Sequence, residues 1–168
     1  LMLFFTGIAR TSAEIAKEQV KSTKDKTAQL SQMSSLVDDA CRILTSETEN
    51  LDDFGKLLHE TWMLKRSLTD KISNSLIDEI YATGIKNGAL GGKVLGAGGG
   101  GFILFYAQSE KQSQIKKALR NLIHVPFKFD DQGCQIILYA PKQYHSSTYE
   151  KLDYIHLQNQ NEKIKLRP

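Results

Sequence analysis

Four consecutive glycines, Gly98 to Gly101, preceded by Gly96 and Ala97, are the residues of this sequence best suited to chemistry. A run of backbone amides without side chains can wrap phosphate oxygens, because the N–H groups converge and nothing blocks close approach. A plain strand-to-strand turn needs only one or two such residues. Each further glycine costs roughly 0.5–1 kcal/mol of chain entropy in an ordered element. The excess points to an anion, phosphate above all.

Context separates the phosphate motifs. Gly96-x-Gly98-x-x-Gly101 has the spacing of the dinucleotide fingerprint, which requires a helix to open at the loop. Here the loop leads into Phe102–Tyr106, an apolar strand-like run. A Walker-type loop requires glycine six residues before its lysine and Ser or Thr after it. Around Lys93 those positions hold Asn87 and Val94. The protein-kinase glycine loop lies between strands, as here, but no His-Arg-Asp or Asp-Phe-Gly follows.

Other polar residues are weighed against plainer roles. Arg10 follows a predicted strand, where a guanidinium could grip a sugar phosphate in a bidentate manner; a solvated charge at a helix start is the plain reading. Lys65 and Arg66 could face an anionic substrate or simply solvent. Trp62 closes an apolar stripe and reads as core, and His59 as a satisfied structural histidine. His124, His145 and His156 lack metal-ligand spacing. The acid pairs Asp38-Asp39 and Asp52-Asp53 diverge on a helix and read as solvated or capping groups.

The elements that must position the loop follow from periodicity. Leu1 to Thr6 reads as a core strand closed by Gly7. Thr11-Ser12-Ala13-Glu14 has the capping-box pattern and opens a helix. Between Lys17 and Gln29 only Val20 and Ala28 are apolar, predicting a solvated helix or a break between two. Leu30, Met33, Val37, Cys41 and Leu44 predict one buried face. Leu51, Phe54, Leu58 and Trp62 make another helical stripe. A third helix carries Leu76, Ile77, Ile80 and Tyr81, capped by Ser73 or Ser75 and ended by Gly84 or Gly88.

Nine of the 12 glycines lie from Gly84 to Gly101, so the unusual backbone is concentrated there. Strands are predicted at Lys93–Leu95 and Phe102–Ala107. A helix opens at Ser109 with Ile115, Leu119 and Leu122 inward. Strands then run through Val125, Phe127 and Phe129 and, after a turn at Asp130 to Gly133, from Cys134 to Ala140. This order predicts an α+β fold, a ferredoxin-like split βαβ sandwich with helices on one face of a mainly antiparallel sheet. Residues 1–142 form the expected domain, and 143–168 a polar tail or peripheral helix.

The 168 residues suit one domain with a real core. A net charge of +3 is too small to argue for nucleic acid, and the basic residues are dispersed. No apolar run reaches membrane-spanning length. Two cysteines make no disulfide framework, so a reducing cytoplasm is the expected setting. The chain opens on Leu, inside a predicted strand, which suggests that a preceding part is missing.

Gly91-Gly92-Lys93-Val94-Leu95-Gly96-Ala97-Gly98-Gly99-Gly100-Gly101-Phe102 resembles the third conserved motif of the GHMP kinases, which phosphorylate small molecules. Thr6-Gly7-Ile8-x-Arg10 and His59-Glu60-x-Trp62-x-x-Lys65-Arg66 resemble the branch of sugar kinases that includes heptose 7-phosphate kinases. The likeness runs in order from about Leu1 to Ala140. It implies the C-terminal domain of an ATP-dependent sugar or sugar-phosphate kinase. In that family the N-terminal domain holds the main phosphate loop, the catalytic residues and most of the contacts to ATP and Mg2+. The third motif, here Gly96, Ala97, Gly98, Gly99, Gly100 and Gly101, packs beside that loop. Thr6, Gly7, Arg10 and Lys65 are the implied substrate-side residues, with no catalytic or metal-binding residue in this chain. The implied partner is an N-terminal kinase domain, in cis or in trans. A non-catalytic anion-binding or regulatory domain is the alternative.

Overall fold

The computed structural model describes residues 1–9 and 12–136. The chain divides into two compact units, Leu1–Lys128 and Phe129–Pro168. In the second, residues 129–136 contain no helix or strand, and the Asp130 carboxylate accepts from the Gln132 amide in the expected turn. The boundary expected at residue 142 and the tail beyond it lie outside the described residues.

The first unit is built on a four-stranded sheet of β1 (Met2–Phe5), β2 (Gly91–Val94), β3 (Phe102–Tyr106) and β4 (Ile123–Val125). The strand order is β2-β3-β1-β4, and every pairing is antiparallel. With helices between β1 and β2 and one between β3 and β4, this is the split βαβ topology expected from the sequence. The helices are α1 (Ser12–Ser22), α2 (Thr27–Thr45), α3 (Leu51–Arg66), α4 (Ser75–Lys86) and α5 (Ser109–Ala118). A 3-10 turn, Thr23–Lys26, separates α1 from α2 inside the weakly apolar stretch expected to be either a solvated helix or a break; it is the break.

Strand alternation puts Met2, Phe4, Val94, Ile103 and Phe105 on one face, all fully buried. Against it pack Ile15 of α1, Trp62 of α3, Ile77, Ile80 and Tyr81 of α4, and Ile115 of α5. Each such side chain contributes about 1.5–3 kcal/mol by leaving water. Phe4 sits at the centre, edge-on to Phe105 and to His124. On the opposite face Phe102 is 40% and Ile123 65% exposed. The helices therefore pack mainly on one face, as expected, while the start of α3 also reaches Tyr106 on the other face at the β2 edge.

Two glycines set how closely α3 and α4 approach. A Cβ on Gly91 would lie 1.9 Å from the Gly55 carbonyl oxygen of α3, and one on Gly84 2.5 Å from the Phe105 ring. Helix α3 thus lies directly on β2, with Gly55 against Gly91 at one end and Lys65 beside Val94 at the other. Asn50 caps α3 through its side chain. Lys65 is carried by this close contact to the point where the chain leaves β2.

Four expectations are corrected. On α2 the buried residues are Leu36 and Ile43, while Val37 and Leu44 are 59% and 56% exposed. Two stripes of helical spacing overlap on this helix, and contact with α3 selects the other one. Helix α4 is capped by Asn74, whose Oδ1 accepts from the Ile77 amide, not by Ser73 or Ser75. The strand expected through Phe129 ends at Val125, because Pro126 has no N–H to offer the ladder. Residues 134–136 are not strand, and the remainder of the predicted Cys134–Ala140 strand lies outside the described residues. Among the described residues no helix is long and apolar enough to cross a membrane.

Candidate functional site

The glycine segment forms the connection between β2 and β3, starting from the Leu95 amide bonded to the Phe102 carbonyl. Gly96, Gly98, Gly99 and Gly101 all have positive φ, between 67° and 106°. The segment is also pressed onto two neighbours. A Cβ on Gly98 would sit 2.8 Å from the Ile72 carbonyl oxygen, and one on Gly100 2.7 Å from that of Ile8. Gly98 carries both demands, left-handed backbone and close approach, so no other residue fits there without displacement.

The loop's carbonyls are held from four directions. Lys65 Nζ donates to Gly96 O at 2.5 Å and to Val94 O at 3.4 Å. Gln19 of α1 donates to Ala97 O at 2.9 Å. Asn74, besides capping α4, reaches Gly99 O at 3.4 Å. The Thr6 hydroxyl donates to Gly101 O at 2.8 Å, and the Thr6 amide bonds the same oxygen at 2.9 Å.

The amides are treated differently. Gly99 N–H donates to Ile72 O and Gly101 N–H to Ile8 O, both at 2.8 Å. The amides of Gly96, Ala97, Gly98 and Gly100 have no acceptor among the described residues. All four residues line one cavity of about 260 Å3, whose apolar wall is Phe5, Ile8 and Leu95. With the carbonyls of Gly96, Ala97, Gly99 and Gly101 engaged and these four amides unspent, the segment has donors that could take an anion. The cavity is just smaller than typical small-molecule clefts, which span about 300–1,000 Å3.

The other sequence candidates fall as follows. Thr6 is buried, and its hydroxyl is committed to the loop and to the Ile8 amide. Gly7 is exposed, with φ 77° and open space where a Cβ would stand. Lys65 is half-buried; burial, and then the neighbouring Lys93, push its ammonium down to about 8. Arg10 lies outside the described residues. Arg66 pairs with Asp78 at 3.0 Å and stands over the Trp62 ring. His59 Nδ1 and the Tyr81 hydroxyl share a hydrogen bond of 2.7 Å, the satisfied structural histidine expected. Trp62 is fully buried in the core, again as expected.

Gln19 and Asn74 were not anticipated. Gln19 sits in a stretch that reads as solvated, and nothing local marks it. Asn74 lies between two serines that compete for the same capping role, although Asn is itself a preferred cap.

Comparison with known proteins identifies the family and the fold. The family model described as "GHMP kinases C terminal" matches residues 37–124. The D-glycero-alpha-D-manno-heptose 7-phosphate kinase of Campylobacter jejuni is 34% identical over 122 residues, which are 71% of this chain and 35% of that protein. The chain therefore spans about a third of the length of this curated relative. Among solved structures, the Methanococcus jannaschii mevalonate kinase is 28% identical with a TM-score of 0.61, over 74% of this chain and 37% of that one. The L. major mevalonate kinase, in complex with R-mevalonate, has a TM-score of 0.62 over 73% of this chain and 40% of that one; at 23% identity it supports the fold alone.

Proposed function

Because this chain belongs to the GHMP kinases, matching their C-terminal domain, we propose that it forms one wall of an ATP-dependent sugar or sugar-phosphate kinase site. The substrate proposed is a heptose 7-phosphate or a close sugar phosphate, after the relative it resembles. The observation that carries this reading is the set of four unspent amides, of Gly96, Ala97, Gly98 and Gly100, around one small cavity. Such donors stabilise charge on a phosphoryl group without moving, and preorganised donors are the main source of rate in phosphoryl transfer.

The chain's own residues would bind and orient. The loop amides would hold phosphoryl oxygens. Gly7 and Arg10, on the segment after β1, would border the sugar, while Thr6 and Lys65 act through the loop they hold. The described residues do not fit a magnesium site: no three His, Cys, Asp or Glu side chains gather among them, and the loop carries no carboxylate. Mg2+, the catalytic groups and most ATP contacts are assigned to an N-terminal kinase domain, in the same polypeptide or a separate one. A cytoplasmic setting accords with the free thiols Cys41 and Cys134.

Titration of the 15N-labelled chain with inorganic phosphate tests the cradle. The amide resonances of Gly96, Ala97, Gly98 and Gly100 are expected to shift together, with those of Gly99 and Gly101 moving less. Shifts confined to lysine-rich surface segments would overturn the assignment.

A further inference from the structure

The loop is held unevenly. Gly98 packs on Ile72 and Gly100 on Ile8, but a Cβ placed on Gly96 would meet nothing within 4 Å. At Gly96, where the chain turns left-handed at φ 67°, the side a Cβ would occupy is therefore open. Ala97 beyond it packs on the core and is held by Gln19, while the Gly96 carbonyl is held by Lys65, whose ammonium bridges it to the carbonyl of Val94, the last residue of β2. A charged donor makes stronger hydrogen bonds to carbonyls than a neutral one.

We propose that Lys65 is a positioning residue for the glycine loop, its ammonium tying Val94 and Gly96 together so that the unspent loop amides converge on one anion. The link to phosphate rests on the kinase reading; the link to the loop rests on geometry alone. It departs from the simpler idea that Lys65 meets the substrate directly, since two of the three ammonium protons are directed at the loop's own backbone.

The hold depends on charge, and its surroundings set when the charge is lost. Lys93 on β2 is the like charge acting on it. On α3 the adjacent Arg66 is paired with Asp78 of α4, and Leu95 to Gly101 carry no ionisable side chain. Burial and Lys93 lower the Lys65 ammonium to about 8. A depressed lysine is charged below that pH and neutral above it, so the clamp is present at neutral pH and lost as pH rises through about 8.

The carbonyl 13C resonances of Val94 and Gly96 read this directly, followed from about pH 6 to about pH 10, the range in which a lowered lysine titrates. In the unaltered chain both are expected to move with a midpoint near 8. In Lys65→Arg, where the guanidinium stays charged throughout, they should hold still. In Lys65→Met they should sit at the alkaline position at every pH, and phosphate binding should weaken roughly tenfold, with Lys65→Arg restoring most of it. Carbonyl resonances of the unaltered chain that stay fixed while the Lys65 13Cε resonance itself titrates would overturn the proposal, whether or not the variants fold. Titrating carbonyls in a chain that binds no phosphate would uphold the clamp and overturn the reading of the loop as a phosphate cradle instead.

Discussion

Replacing Gly91 with alanine is expected to cost about 3 kcal/mol of stability, the upper end of what is typical when a packed site is overfilled and its backbone must shift. The added Cβ would fall 1.9 Å from the Gly55 carbonyl oxygen and 2.8 Å from the His59 amide nitrogen. Both are helix backbone, which cannot turn aside as a side-chain tip can. Helix α3 would have to lift from β2, loosening Trp62 from the core and withdrawing Lys65 from the loop. A domain of this size has only about 5–15 kcal/mol in hand. Urea unfolding followed by Trp62 fluorescence should show a much lower midpoint. An unchanged midpoint would mean that α3 does not lie against β2 as described.

The second large effect belongs to Gly98. Gly98→Ala meets both a strained φ of 106° and a Cβ 2.8 Å from the Ile72 carbonyl oxygen. The nearest relief breaks the Gly99 N–H bond to that same oxygen. A loss of about 2–4 kcal/mol and a weakening of phosphate binding beyond tenfold are expected. Gly96→Ala provides the comparison: its φ is also positive, but the space is open, so about 1 kcal/mol is expected from backbone strain alone. Calorimetry on both variants separates the two causes. Equal losses would show that contact with Ile72 contributes nothing.

These contacts change what the glycines mean. Read in the sequence, five glycines exceed the need of a turn, and the excess suggests a ligand. In the folded chain each of the five has a structural duty: positive φ at Gly96, Gly98, Gly99 and Gly101, and close approach to Ile8 at Gly100. Glycine number alone therefore no longer argues for function. The stronger sign is the division of polar groups, with carbonyls held by Thr6, Gln19, Lys65 and Asn74 and four amides unspent. That division depends on contacts between residues up to 95 positions apart, beyond the reach of local pattern.

The fold was readable where one signal stood alone. The short apolar runs at Leu1–Thr6 and Phe102–Ala107, and the 3.6-residue stripe ending in Trp62, placed their elements correctly. It was misread where two signals competed. On α2, Leu36–Ile43 and Val37–Leu44 have the same spacing, and only α3 decides between them. After α5, the apolar alternation Val125-Phe127-Phe129 outweighed the proline inside it, although Pro126 ends the strand and leaves Phe129 83% exposed. The glycine loop was placed correctly between two strands, but its holders were not: from the sequence, Thr6 and Lys65 read only as residues on the substrate side.

The central claim is that this chain completes a kinase site rather than constituting one, and reconstitution tests it most directly. The chain is mixed with a separately expressed N-terminal half of a heptose 7-phosphate kinase relative, and ADP release is followed with ATP, Mg2+ and heptose 7-phosphate. Phosphoryl transfer depends on positioning by both walls of the cleft. The expected result is negligible turnover by either half, sugar-dependent turnover by the pair, and loss of that turnover with Gly98→Ala in this chain. Full turnover by this chain alone would contradict the account.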